Sequence, residues 1–140
     1  MNALPDSNKP GMVETVLVLD DDVLIRMPIC QYLRDCSYRV LEAASADEAA
    51  TILQKQDIHV NVLLTDIEMP GAMNGFEFAK WARSVRPELN IVLAGTPERA
   101  AHAAGELCEH GPILMKPYDH KIVLDRIKRL LAARAQQGGR

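Results

Sequence analysis

Val16-Leu17-Val18-Leu19 runs directly into Asp20-Asp21-Asp22, and this stretch decides the fold. An unbroken apolar run that stops abruptly at acid reads as a strand buried on both faces, the signature of a parallel sheet. Working outward, apolar residues recur at helical spacing from Val23 to about Cys36, through Leu24, Met27, Cys30 or Gln31, and Leu33. Pro28 falls in the early turns of that helix, where a missing N–H costs least. Tyr38 to Glu42 alternates and predicts a more exposed second strand. Ser45 and Glu48 match a capping box opening a helix that carries Ala49, Ile52 and Leu53 on one face.

The same alternation continues downstream. Val60 to Thr65 predicts a third strand ending at Asp66, and Met69 to Gly75 reads as a loop from its Pro, Gly and Asn content. A helix follows from Phe76 to Val85, then a strand at Ile91 to Ala94 and an Ala-rich helix from Pro97 to about His110. Ile113 to Met115 is a short fifth strand before Lys116-Pro117. The last helix runs from Asp119 to about Ala135, with Ile122, Val123, Ile127, Leu130 and Leu131 on one stripe. Five strands, each followed by a helix, predict an α/β protein with a doubly wound five-stranded parallel sheet and helices on both faces. Residues 1–13 read as a flexible polar leader, 14–135 as one domain and 136–140 as a disordered tail.

Composition narrows the function classes. The chain has 140 residues, 48% apolar and 25% charged, enough for one real core and no second domain of normal size. A net charge of −3 argues against a basic nucleic-acid surface, and no apolar run approaches the length of a membrane span. Three cysteines (Cys30, Cys36, Cys108) without metal-ligand spacing suggest buried thiols and a cytoplasmic protein. His59, His102, His110 and His120 are scattered and read as solvated surface. Lys121, Arg126, Lys128, Arg129 and Arg134 read as the polar face of the last helix rather than a nucleic-acid stripe. Trp81 fits either the core or its edge.

In parallel sheets of this kind ligands bind outside the carboxyl ends of the strands. Those positions hold Asp20, Asp21 and Asp22 after the first strand, Asp66 after the third, Gly95-Thr96 after the fourth and Lys116 after the fifth. Asp22 also suits the N-cap of the first helix. Carboxylates brought that close repel unless positive charge sits among them, and a hard divalent cation with oxygen ligands, Mg²⁺ above others, fits such a set.

The Asp20-Asp21 pair, Asp66-Ile67-Glu68-Met69-Pro70 with Gly75 following, and Lys116-Pro117 together resemble the receiver domain of two-component response regulators, over about residues 14 to 133. The resemblance implies a flavodoxin-like (βα)5 fold with strand order 2-1-3-4-5. It also implies that Asp66 is a phosphoacceptor served by a histidine kinase or a histidine phosphotransfer protein, so the protein signals rather than acting as an enzyme. Asp21 and Asp66 would bind Mg²⁺ directly, Asp20 would support it, and the Glu68 backbone carbonyl would complete the protein ligands. Lys116 would pair with Asp66 at rest and with the phosphoryl group afterwards.

Two positions depart from the family. Gly95 stands where members usually carry a Ser or Thr hydroxyl, which leaves Thr96 or backbone N–H groups to serve. Ile113 stands where many members have a mobile Tyr or Phe. The expectation is a stand-alone receiver, monomeric or weakly dimeric, that signals to an unknown downstream protein by contact, with no nucleic acid or membrane as partner. One alternative is a receiver-like binding module with a weakened switch, supported by Gly95 and Ile113. Another is a phosphatase of the haloacid dehalogenase type, with Asp20 as nucleophile.

Overall fold

The computed structural model describes residues 13–69, 73–95 and 113–138, with side chains described only as far as Arg134. Its elements are β1 (Thr15–Leu19), α1 (Val23–Asp35), β2 (Arg39–Ala43), α2 (Ala46–Leu53), β3 (Val62–Asp66), α3 (Gly75–Val85), β4 (Asn90–Gly95), β5 (Leu114–Met115) and α4 (His120–Gly138). All strands pair in parallel, in the order β2-β1-β3-β4-β5. Every residue of β1, β3 and β4 is buried, as the unbroken apolar runs require. The helix expected at Pro97 to His110 lies outside the described residues, as do residues 1–12 of the expected leader 1–13 and Cys108, His102 and His110.

Period-two alternation divides the core. Leu17, Leu19, Leu63, Ile91 and Leu93 face α2 and α3, meeting Ala49, Leu53, Phe78, Ala79 and Ala82. Val16, Val18, Val62, Leu64 and Val92 face α1 and α4, meeting Ile29, Cys30, Leu33, Val123 and Ile127. Helices therefore cover both sheet faces. Trp81 sits at the edge of the first cluster, its ring 5.5 Å from that of the fully buried Phe78. Burial pushes the Cys30 thiol up to about 12, with the Glu42 charge adding to it, so this cysteine is an inert core residue.

Local chemistry sets the helix ends. Asp22 caps α1 by accepting from the Leu24 N–H at 2.9 Å. α1 continues through Pro28 as a single helix. Ser45 caps α2 through the Glu48 N–H at 3.2 Å, and the Glu48 carboxylate reaches back to the Ala44 N–H at 2.7 Å. Asn74 and Glu77 form a full capping box at the start of α3, one residue earlier than the apolar spacing alone suggested. Arg86 closes the other end of α2, donating from Nε and Nη2 to the Leu53 carbonyl at 3.2 and 2.8 Å and from Nη2 to the Lys55 carbonyl at 3.0 Å. The last helix extends to Gly138, past the expected tail boundary at Gln136. Ala and Gln are good helix formers, so nothing in that stretch stops it.

α1 ends in a Schellman-type turn, with the Tyr38 N–H bonded to the Leu33 carbonyl at 3.2 Å and the Ser37 N–H to the Arg34 carbonyl at 2.9 Å. The turn places Ser37 at φ 77°, a left-handed conformation that costs an L-residue about 1–2 kcal/mol. Glycine avoids that penalty but loses more backbone entropy on folding. Ser37→Gly is therefore expected to stabilise the protein by about 0.5–1 kcal/mol, read as a higher urea midpoint at unchanged slope. A lower midpoint would mean that the Ser37 side chain contributes more than the strain it carries.

Candidate functional site

The carboxyl ends of β1, β3 and β5 bring three of the expected residues together. Lys116 follows β5, and its Nζ lies 2.9 Å from Asp66 Oδ2 and 3.0 Å from Asp20 Oδ2. Both carboxylates are buried, Asp20 at 3% exposure and Asp66 at 7%. Their other oxygens are also used: Asp66 Oδ1 accepts from the Glu68 N–H at 3.0 Å and Asp20 Oδ1 from the Asp22 N–H at 2.9 Å. Asp21 is exposed, yet one of its oxygens lies within 4.8 Å of oxygens from Asp20 and Asp66.

The electrostatics follow from this packing. Burial pushes the Asp66 carboxyl above its ordinary range, and the nearby Asp20 charge adds to the shift, while the Glu68 N–H and Lys116 oppose it. Burial would pull Lys116 down, but its bonds to Asp66 and Asp20 outweigh this and hold the ammonium above its usual value. Three carboxylates thus face a single ammonium, leaving a net charge of 1 − 3 = −2 among hard oxygen donors. That donor set fits a divalent cation such as Mg²⁺.

Neighbouring residues fix the frame. Gly75, at the first position of α3, packs against the backbone that carries Asp66, and a Cβ built there would fall on the Asp66 carbonyl oxygen. Only glycine admits this approach, so α3 can start directly beneath the site. Arg26 Nη1 donates to the Asp20 carbonyl at 2.7 Å and its Nε pairs with Glu42 at 3.0 Å, tying the loop after β1 to the end of β2. Thr65 Oγ1 donates to the Asp66 carbonyl at 3.1 Å. Tyr118 lies close enough for the Asp20 and Asp66 charges to add to the burial that pushes its phenol well up.

Apolar periodicity did not reveal Arg26, Glu42, Thr65 or Tyr118. The signal that could have found Glu42 is its place near a strand's carboxyl end, the rule that located the aspartates. Gly95 closes β4, and its carbonyl accepts from the Lys116 N–H at 2.9 Å. Thr96 lies outside the described residues. Ile113 is buried in the α2–α3 side of the core at 8% exposure. No described helix is long and apolar enough to cross a membrane.

Comparison with known proteins agrees with this geometry. The chain matches the family model of the response regulator receiver domain over residues 16–132. It is 35% identical to the hydrogenase transcriptional regulatory protein HoxA of Cupriavidus necator, across 89% of this chain and 25% of that protein. It is 30% identical to the transcriptional regulatory protein ResD of Bacillus subtilis, across 86% of this chain and 49% of that protein. Among solved structures, it is similar to a CheY-like response regulator receiver domain protein from Methanospirillum hungatei, with TM-score 0.74, 25% identity and coverage of 89% of this chain and 98% of that one. The chain spans a quarter to a half of the two curated relatives, so they lend no support to the expectation of a stand-alone protein.

The raised Asp66 value fixes the sign of one pH effect. The folded protein holds this proton more tightly than the unfolded chain, so the stability it contributes is present at acid pH and is lost as pH rises through the folded value. Asp66→Asn removes the ionisation. It is expected to raise the urea midpoint at about pH 7 and to give little gain near pH 3. An equal gain at both pH values would mean that the effect does not come from charge.

Proposed function

The chain belongs to the response regulator receiver domain family, and from that premise we propose that it accepts a phosphoryl group on Asp66 from a histidine kinase or a histidine phosphotransfer protein. The observation that carries this reading is the double contact of Lys116 with Asp66 and Asp20 beside the exposed Asp21. Family membership leaves no support for the dehalogenase-type phosphatase with Asp20 as nucleophile.

In this mechanism an Asp66 carboxylate oxygen attacks the phosphorus of a phosphoimidazole. A P–O bond forms, the P–N bond breaks, and the imidazole leaves with its electron pair and takes up a proton. Hydrolysis by water then returns the Asp66 carboxylate and inorganic phosphate. The Glu68 N–H and Lys116 orient Asp66 for attack, and Lys116 offsets charge on the transferring oxygens. Asp20, Asp21, Asp66 and the Glu68 backbone carbonyl would hold Mg²⁺, which when bound supplies further positive charge to those oxygens. The added charge of about −1.5 to −2 on Asp66 then biases the surface seen by a downstream protein. The same reading proposes a cytoplasmic location; no described helix is long and apolar enough to cross a membrane.

A second reading, a binding module with a weakened switch, is favoured by Gly95 at the end of β4 and Ile113 in the core. Neither can provide the hydroxyl or the mobile aromatic that the family uses.

Incubation with Mg²⁺ and acetyl phosphate is expected to add one phosphoryl group, seen by intact mass and abolished in Asp66→Ala. Absence of an adduct with both acetyl phosphate and a kinase donor would overturn the phosphoacceptor reading and favour the binding module. Mg²⁺ alone is expected to raise the melting temperature, by an increment set by its concentration relative to Kd. Asp21→Asn should remove most of that increment while leaving the metal-free melting temperature near wild type, whereas an unchanged increment would place the cation elsewhere.

A further inference from the structure

At the opposite end of the sheet from Asp66, the segments entering β3 and β4 and the last turns of α4 line a half-open cavity of about 280 Å³. Val60, Leu89 and Leu131, all buried, give it an apolar floor. Arg86 and Arg134 line it, with Glu88 as the one carboxylate among the described residues. Among the described residues neither arginine has an ion-pair partner.

The state of Arg86 matters most. Its three hydrogen bonds go to the Leu53 and Lys55 carbonyls, which are neutral acceptors. They immobilise the guanidinium without neutralising it, so the entropy of ordering this side chain is already lost before any ligand arrives. Arg134 reaches the same cavity from α4 and makes no hydrogen bond with another described residue.

An apolar floor beneath two uncompensated guanidiniums has a definite complement. A bare oxyanion would leave the floor wet, and a neutral apolar molecule would leave the cations unpaired. A small acid with an apolar body satisfies both: a planar carboxylate matches the guanidinium fork of Arg134, while Arg86, whose Nε and Nη2 donors are taken by carbonyls, contributes its charge and Nη1. Glu88 opposes a second negative charge, which selects a monoanion. The volume suits a fragment-sized molecule, just below the usual range of about 300–1,000 Å³ for ligand sites.

We propose that this cavity is a second ligand site, taking a small monocarboxylate with an aromatic or branched aliphatic body. It is separate from the phosphoacceptor chemistry: five residues of β3 lie between the two ends, about 16 Å of strand.

The test is a ¹H–¹⁵N NMR titration of the full chain with phenylacetate, against its neutral isostere phenylacetamide and against inorganic phosphate. Saturable shifts are expected at the Asn61, Glu88 and Asn90 amides, with a Kd on the order of 1 mM for phenylacetate. The Asp21, Glu68 and Lys116 amides should not move. Arg134→Gln, which breaks no hydrogen bond seen in the fold, is expected to weaken phenylacetate about fivefold without affecting phenylacetamide; Arg134→Lys should recover part of the loss. Equal binding of acid and amide would overturn the proposal, as would tighter binding of phosphate, no saturation by about 20 mM, or an Arg134→Gln variant that binds like wild type.

Discussion

The Lys116 ammonium, held between Asp20 and Asp66 at 3.0 and 2.9 Å, is the interaction on which the arrangement at this end of the sheet depends. Two buried carboxylates this close repel each other by on the order of 3 kcal/mol at an effective dielectric of about 20. The ammonium offsets that repulsion, and to do so it must arrive from β5 while the aspartates arrive from β1 and β3. A parallel sheet satisfies the requirement because every strand then ends on the same side. The strand order sets β1 beside β3, and β4 carries β5 within reach of both. A single lysine side chain thus links three separate stretches of sequence.

That constraint leaves a deliberate deficit. One ammonium does not neutralise three carboxylates, and the uncompensated charge stands on the exposed side, at Asp21. The buried pair is satisfied by Lys116 and backbone N–H groups, while the Asp21 carboxylate stays exposed. Gly75 and Arg26 keep the deficit in place. The first lets α3 begin in contact with the Asp66 backbone, and the second clamps the Asp20 carbonyl to the end of β2. Site precision here comes from backbone contacts on rigid elements rather than from loop packing.

The sequence revealed whatever periodicity or abrupt polarity change encodes. The four-residue apolar run before Asp20 marks a strand buried on both faces, and β1 is fully buried. The aspartates and Lys116 were legible because each ends such a run. Arg26, Glu42 and Thr65 were not, since their roles lie in pairings across 16 residues or to a neighbouring carbonyl that no local pattern records. Boundaries shifted where hydrogen bonding outranks hydrophobicity. Asn74 begins α3 before the first apolar residue, and Ala and Gln carry α4 beyond its apolar stripe. Ser37 shows the converse, a left-handed turn position without the glycine that would have announced it.

Gly95 and Ile113 bear on how a charge at Asp66 could be transmitted. Gly95 presents no side chain at the end of β4, but its carbonyl accepts from the Lys116 N–H, and the Ala94 carbonyl accepts from the Ile67 N–H one residue after Asp66. The end of β4 is therefore bonded through its backbone to the two segments that carry Asp66 and Lys116. Ile113, packed in the core, supplies no aromatic ring at its own position. Among the described residues, the end of β4 is thus tied to Asp66 and Lys116 by backbone hydrogen bonds, which no side chain at Gly95 supplements.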